Sequence, residues 1–212
     1  MKRICVVLAL LAAAVVWLGS SRAGDSGFKN LFNGKNFEGW KFELGKADPE
    51  KTFKVKDGII VVSGNPNGYF YTDKSYKNYI LRFDWRYKRP KGLEDDEKFG
   101  GNSGLLVAIQ EPHKVWPKCV EVQGMNKEHG RIFAIGGANG KFSFDAKALK
   151  DARKPVGEWN TTEVTVKDGA IVSKVNGAPI ASGKGNVTEG PFGFQSEGAE
   201  IHFKNIKIKV LD

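Results

Sequence analysis

The hexapeptide Cys119-Val120-Glu121-Val122-Gln123-Gly124 sets a thiol, an acid and an amide at alternate positions. That alternation is the period of a β-strand, so Val120 and Val122 point one way and Cys119, Glu121 and Gln123 the other. A carboxyl group beside an amide can move a proton and offer hydrogen bonds to a ligand oxygen. The same face could equally be a wet sheet surface. Cys119 has no evident acid–base partner in the sequence and reads as a small semi-buried side chain rather than a nucleophile.

Other residues could join such a site. Asp84 is flanked by Arg82 and Arg86 at i±2, and Gln195 stands alone in "GFQSEG". Taken singly, each reads as an ordinary surface residue. A concave sheet that gathers several polar stripes into one cleft changes that reading. His113, His129 and His202 show no metal-ligand spacing. The acidic run Glu94-Asp95-Asp96-Glu97 lacks EF-hand spacing and reads as a solvated loop. No nucleotide-binding loop, zinc pattern or Ser-His-Asp signature is present. Trp85 shares a face with Phe83 and reads as core, whereas Trp116, between Val115 and Pro117 in a loop, is a platform on which a sugar ring could stack.

These residues need strands to hold them. The segment 78–88 alternates Leu81, Phe83, Trp85 and Tyr87 against Arg82, Asp84 and Arg86. Asp57-Gly58, Asp168-Gly169 and Asn176-Gly177 are tight-turn dipeptides between apolar runs. Ten or more short strands are expected, with a helical turn or two over 144–153. The fold class is therefore all-β, a two-sheet jelly-roll sandwich. Two long loops, 89–101 and 136–158, are candidate carriers of function.

Lys2 and Arg3 precede an apolar run from Ile4 to Leu18, followed by Ser21 and Ala23 at small-residue cleavage positions. Residues 1–23 are thus expected to be a signal peptide, with no stable membrane anchor, and 24–212 a single secreted or periplasmic domain. Loss of Lys2, Arg3 and Arg22 takes the formal charge from +9 to +6. The lysines are scattered, without a basic run interleaved with aromatics, which argues against nucleic acid.

The segments "LFNGKNFEGW" (31–40), "VKDGIIVVSG" (55–64), "NSGLLV" (102–107), "VEVQG" (120–124), "KPVGEWNTTEV" (154–164), "VNGAPI" (175–180) and "GPFGFQSEGAEIHFKNIKI" (190–208) together resemble the bacterial 3-keto-disaccharide hydrolase family. Members are also described as 3-keto-glucoside 1,2-lyases and 3-keto-2-hydroxy-glucal hydratases. The resemblance implies a concanavalin A-like jelly-roll of the lectin and glucanase type, a saccharide substrate, and an upstream sugar oxidoreductase that makes the ketone. It leaves open a divalent metal ion, for which the sequence shows no ligand set. Two departures from the family pattern are Ala108, where an arginine is often found, and the loop 124–127.

An ordinary glycosidase needs two carboxyl groups, and the 119–124 strand has one. The second would come from another strand, with Asp84 the expected donor. A 3-keto-sugar offers elimination across C1–C2 followed by hydration, which asks for one base, a holder for the enolate oxygen and a proton donor. Glu121 or His129 is the expected base. Arg86, Gln123, Asn102 or a bound divalent cation is expected to hold the enolate, and Ser103, Trp116 and Gln195 complete the candidate contacts. Asn102 and Ser103 also read as a turn into a strand. The rival is a non-catalytic carbohydrate-binding module, favoured by the missing second acid. The geometric expectation is a single hollow with Glu121 at its base, near Asp84 and Gln195.

Overall fold

The computed structural model describes residues 26–212, so the expected signal peptide lies outside the described residues. Among the described residues there are fifteen strands: β1 (Lys29–Asn30), β2 (Trp40–Glu43), β3 (Phe53–Lys56), β4 (Ile59–Val62), β5 (Gly68–Thr72), β6 (Tyr79–Tyr87), β7 (Gly104–Val107), β8 (Cys119–Gln123), β9 (Ile132–Ile135), β10 (Gly140–Phe144), β11 (Asn160–Lys167), β12 (Ala170–Val175), β13 (Ala178–Gly185), β14 (Gly193–Ser196) and β15 (Ile201–Val210). They form two antiparallel sheets. One has nine strands, in the order β10-β13-β12-β11-β6-β15-β4-β3 with β1 paired to β15. The other has six, in the order β2-β5-β14-β7-β8-β9. This is the expected all-β two-sheet sandwich.

The alternation in the sequence becomes burial. Along β6 every second residue is buried, from Tyr79 to Tyr87, while Ile80, Arg82, Asp84 and Arg86 look outward. The sheets are joined by aromatic rings. Phe194 of β14 stacks on Phe70 of β5 at 5.2 Å and meets Phe83 of β6 edge-on at 4.9 Å. Such pairs add about 0.5–1.5 kcal/mol each beyond the area they bury. The three tight turns form as expected. Asp57 and Gly58 both take positive φ (52° and 75°), as do Asp168-Gly169 (49°, 80°) and Asn176-Gly177 (49°, 90°). Positive φ at both central residues matches the twist of the strands they join.

The stretch 136–158 is more than a loop: it contains β10, paired with β13, and a helix over Ala146–Ala152, where a helical turn or two was expected. Asp145 caps the helix by accepting from Ala148 N at 2.8 Å, and Leu149 buries its apolar side. The stretch 89–101 does remain a loop, with one 3-10 turn at Asp96–Lys98.

Candidate functional site

On β8 the inward Val120 and Val122 join the core, so Cys119, Glu121 and Gln123 stand on the outer face of the six-stranded sheet. That face is not wet. Glu121 is only 5% exposed and Gln123 7%. They floor a hollow of about 340 Å³. Asn102, Glu197 and Trp116 form its rim, and Phe133 and Ile135 its apolar side.

Strand register explains the placing. Glu121 lies between Leu106 of β7 and Phe133 of β9, so its nearest cross-strand neighbours are apolar. Gly104 of β7 faces Gln123, and Gln195 of β14 comes next across the sheet. Two residues further along, the pairing of β14 with β7 continues as a bridge between Glu197 and Asn102. A second carboxyl group therefore reaches the hollow from beyond β14.

The other part of this face is closed. Tyr69, Tyr71, Leu106, Ile109 and Cys119 form a small apolar cluster of their own. The chain leaves β7 at Ala108, whose φ of 54° turns it back over the sheet, and Gln110 Nε2 donates to the Ala108 carbonyl at 2.9 Å. His113 Nδ1 lies 3.0 Å from Tyr71 Oη and anchors this covering segment. The segment then brings Trp116, 42% exposed, to the rim.

Electrostatics sets the acids apart. Burial pushes the Glu121 pKa up to about 8, the nearby Glu197 charge pushes the same way, and the Gln195 amide pulls against both. Neither Gln195 amide atom makes a hydrogen bond of ordinary geometry, so this is a close electrostatic contact between two buried groups. Glu197 is also raised by burial, against a hydrogen bond from Asn102. Asn102 Oδ1 accepts from Ser103 N at 3.0 Å, which leaves the Asn102 NH2 to serve Glu197. Gln123 Oε1 accepts from Met125 N at 2.8 Å, so the Gln123 NH2 is the end left for a ligand. Burial, then the Glu121 charge, raises the Cys119 thiol, which makes it a poor nucleophile.

Glu121, Gln123, Asn102, Trp116 and Gln195 thus come together as expected. Four other expected residues do not. Asp84 and Arg86 lie on the outer face of the other sheet. Asp84 accepts from Thr161 Oγ1 at 2.6 Å and from Asn205 Nδ2 at 2.7 Å. Arg86 donates to His202 Nδ1 at 3.3 Å and stacks on Trp159 at 4.6 Å. Both are on β6, whose inward residues are the core, so their side chains point away from the other sheet. His129 lies inside the sandwich, stacked on Trp85 at 3.8 Å and hydrogen-bonded to Thr162 Oγ1 at 2.8 Å. Burial lowers its pKa to about 3, so it is a neutral core histidine. Ser103 is buried, and its Oγ donates to the Gln195 carbonyl at 2.9 Å, tying β7 to β14 rather than facing a ligand. The missed residue is Glu197, which follows Gln195 at i+2 in "GFQSEG", the same period that flagged Glu121 and Gln123.

A divalent metal finds little here. Among the described residues no three His, Cys, Asp or Glu side chains gather to hold one. The hollow offers two carboxyl groups, Glu121 and Glu197, and one of its amide oxygens is already used by Met125 N.

The jelly-roll carries two carboxyl groups in one hollow on one sheet, and its family and its named relative make it a carbohydrate-acting enzyme of the hydrolase type. The chain belongs to the 3-keto-alpha-glucoside-1,2-lyase-like domain family, whose pattern matches residues 27–209. It is 24% identical to a 3-keto-disaccharide hydrolase of Bacteroides thetaiotaomicron, over 88% of this chain and 79% of that one. A solved structure from Parabacteroides distasonis, a provisionally named glycosyl hydrolase, is 28% identical with a TM-score of 0.65, over 88% of this chain and 94% of that one. The fold alone is shared with a Bacillus licheniformis β-glucanase, at 11% identity and a TM-score of 0.52, over 87% of this chain and 97% of that one.

Proposed function

We propose that this chain, acting outside the cytoplasm, cleaves 3-keto-glycosides by elimination and hydration. The observation that carries the reading is the pair Glu121 and Glu197, two carboxyl groups in one hollow with Glu121 buried deeply enough to keep its proton at neutral pH. Groups whose environments push their pKa values up in this way are suited to acid and base work near neutrality.

The 3-keto group acidifies the hydrogen on C2. Glu197, at the rim, removes that proton, and the electron pair forms an enolate whose oxygen accepts from the Gln123 NH2. The enolate then expels the C1 oxygen, which takes the proton of Glu121, leaving a C1–C2 double bond conjugated with the ketone. Water adds at C1, giving its proton to Glu121, while Glu197 returns its proton to C2. The two carboxyl groups end as they began, and the net change is hydrolysis. Trp116 is the stacking wall for the ring. An oxidoreductase acting on the parent glycoside would supply the ketone.

The test is turnover of 3-keto-trehalose or a nitrophenyl 3-keto-glucoside by the protein without its leader, with and without divalent metal or EDTA. Glu121→Gln is expected to lose about 10²- to 10⁴-fold in kcat. In the wild type, activity should fall as pH rises through about 8, where Glu121 loses the proton it must donate. Reaction in deuterated water should place deuterium at C2. Wild-type turnover by Glu121→Gln, or sugar binding without turnover under every metal condition, refutes the reading. The second outcome would make the chain a binding module.

A further inference from the structure

We propose that Gly104 is a positioning residue of this site: the space left by its missing side chain lets the Glu121 carboxyl and the Gln195 amide meet over the sheet, and so sets the depth at which the carboxyl sits. Gly104 lies within β7, with Gln123 opposite it on β8. It is not among the residues with positive φ, so backbone conformation does not demand glycine there. Within a strand, glycine is less favourable than alanine by roughly 0.5–1 kcal/mol. Crowding accounts for it instead. A methyl group at this position would stand 2.5 Å from Glu121 Oε1, and Gln195 Oε1 would be closer still. Two side chains from two neighbouring strands share the volume that one Cβ would need.

The meeting has chemical content. The Gln195 amide favours the charged form of Glu121, against burial and the Glu197 charge. Gln195 has no alternative partner, since both its amide atoms are buried and otherwise unbonded. Its backbone is held in place by Ser103 Oγ, which donates to the Gln195 carbonyl at 2.9 Å. A side chain at residue 104 would therefore push the Gln195 amide and the Glu121 carboxyl apart, and the carboxyl has the open hollow to move into.

The consequence for turnover rests on the reading of Glu121 as proton donor, so the primary readout needs no substrate. Protein labelled with ¹³C at glutamate carboxyls is titrated by NMR, the Glu121 signal being assigned by its loss in Glu121→Gln. In Gly104→Ala, with Glu121 pushed toward water, its midpoint should fall by about one pH unit or more. In Gln195→Ala, which removes the amide that pulls the pKa down, the midpoint should rise. With the 3-keto-glucoside, Gly104→Ala should lose about 10- to 100-fold in kcat, with KM changed by less than about threefold. A Gly104→Ala protein with wild-type midpoint and kcat overturns the inference. Should Gly104→Ala not fold, Gly104→Ala/Gln195→Ala removes the nearer obstruction and is expected to fold. A double variant that fails where Gln195→Ala folds would show that glycine serves the backbone, and also overturns it. If the wild type turns over no 3-keto-sugar, the proposed function falls while the titrations still decide the role of Gly104.

Discussion

β6 and β8 carry the same kind of stripe, charged or polar residues at every second position, and they end in opposite circumstances. On β6 each outward charge finds a partner across the sheet. Arg82 pairs with Glu163 at 2.7 Å, Asp84 takes hydrogen bonds from Thr161 and Asn205, and Arg86 reaches His202 and Trp159. On β8 the acid lies between Leu106 and Phe133, and the charged group nearest to influence it is another carboxylate. A stripe neutralised by its neighbours serves the sheet. A stripe left buried and unneutralised costs stability and is kept for what it can do. For Glu121 the sign is clear. Its pKa is raised on folding, so the folded state binds more protons, and its contribution to stability is lost as pH rises from the ordinary carboxyl value toward about 8.

The contrast is broken most severely at Glu197. Glu197→Gln removes both the proposed base and the charge that helps raise the Glu121 pKa. Turnover of a 3-keto-glucoside should fall about 10²-fold. The alkaline limb of any residual activity should move to lower pH, because the repulsion that favours protonated Glu121 is gone. A pH–rate profile checks both. An unchanged rate would remove Glu197 from the chemistry and leave β8 with a single acid.

Much of this arrangement was legible before any coordinates. Strict alternation along 79–87 told which residues enter the core, because a sheet with one buried face imposes period two. The Asp-Gly and Asn-Gly pairs told where the chain reverses. The role of β8 was legible as a pattern only. Whether its polar face stays wet depends on the segment that folds back from Ala108 and on which strands lie beside it, and neither is local information. Asp84 resembled Glu121 in sequence because flanking arginines do not reveal that Thr161 and Asn205 lie across the sheet. Glu197 was readable at i+2 from Gln195, but a single acid after a strand carries weight only once the bridge to Asn102 brings it beside Glu121. His129 looked like a free loop base because nothing nearby in sequence announces that Trp85 and Thr162 enclose it.

A milder change sharpens the rim. Trp116 is exposed and lies outside the described core clusters, so truncating it removes no core packing. Trp116→Ala should raise KM by about 2- to 10-fold, consistent with the roughly 0.5–1.5 kcal/mol that an aromatic face contributes. The melting temperature and kcat should stay near wild type. A large drop in kcat with unchanged KM would instead give Trp116 a part in aligning the reacting bond.

The smallest expected effect is the most direct comparison, because it makes on β6 the swap that should silence β8. Asp84→Asn keeps the shape of the side chain and removes its charge. The new amide oxygen can still accept from Asn205 Nδ2, and Thr161 Oγ1 can accept from the new NH2, so both contacts survive with weaker, uncharged bonds. Hydrogen bonds to charged groups exceed neutral ones by roughly 1 kcal/mol each, so the two bonds bound the loss of stability seen in denaturant unfolding at about 2 kcal/mol. Turnover and its pH profile should match wild type, because Asp84 points away from the sheet that carries the hollow. If Asp84→Asn instead reduced turnover as Glu121→Gln does, the chemistry would belong to the face of the nine-stranded sheet, where Arg86 and His202 already meet.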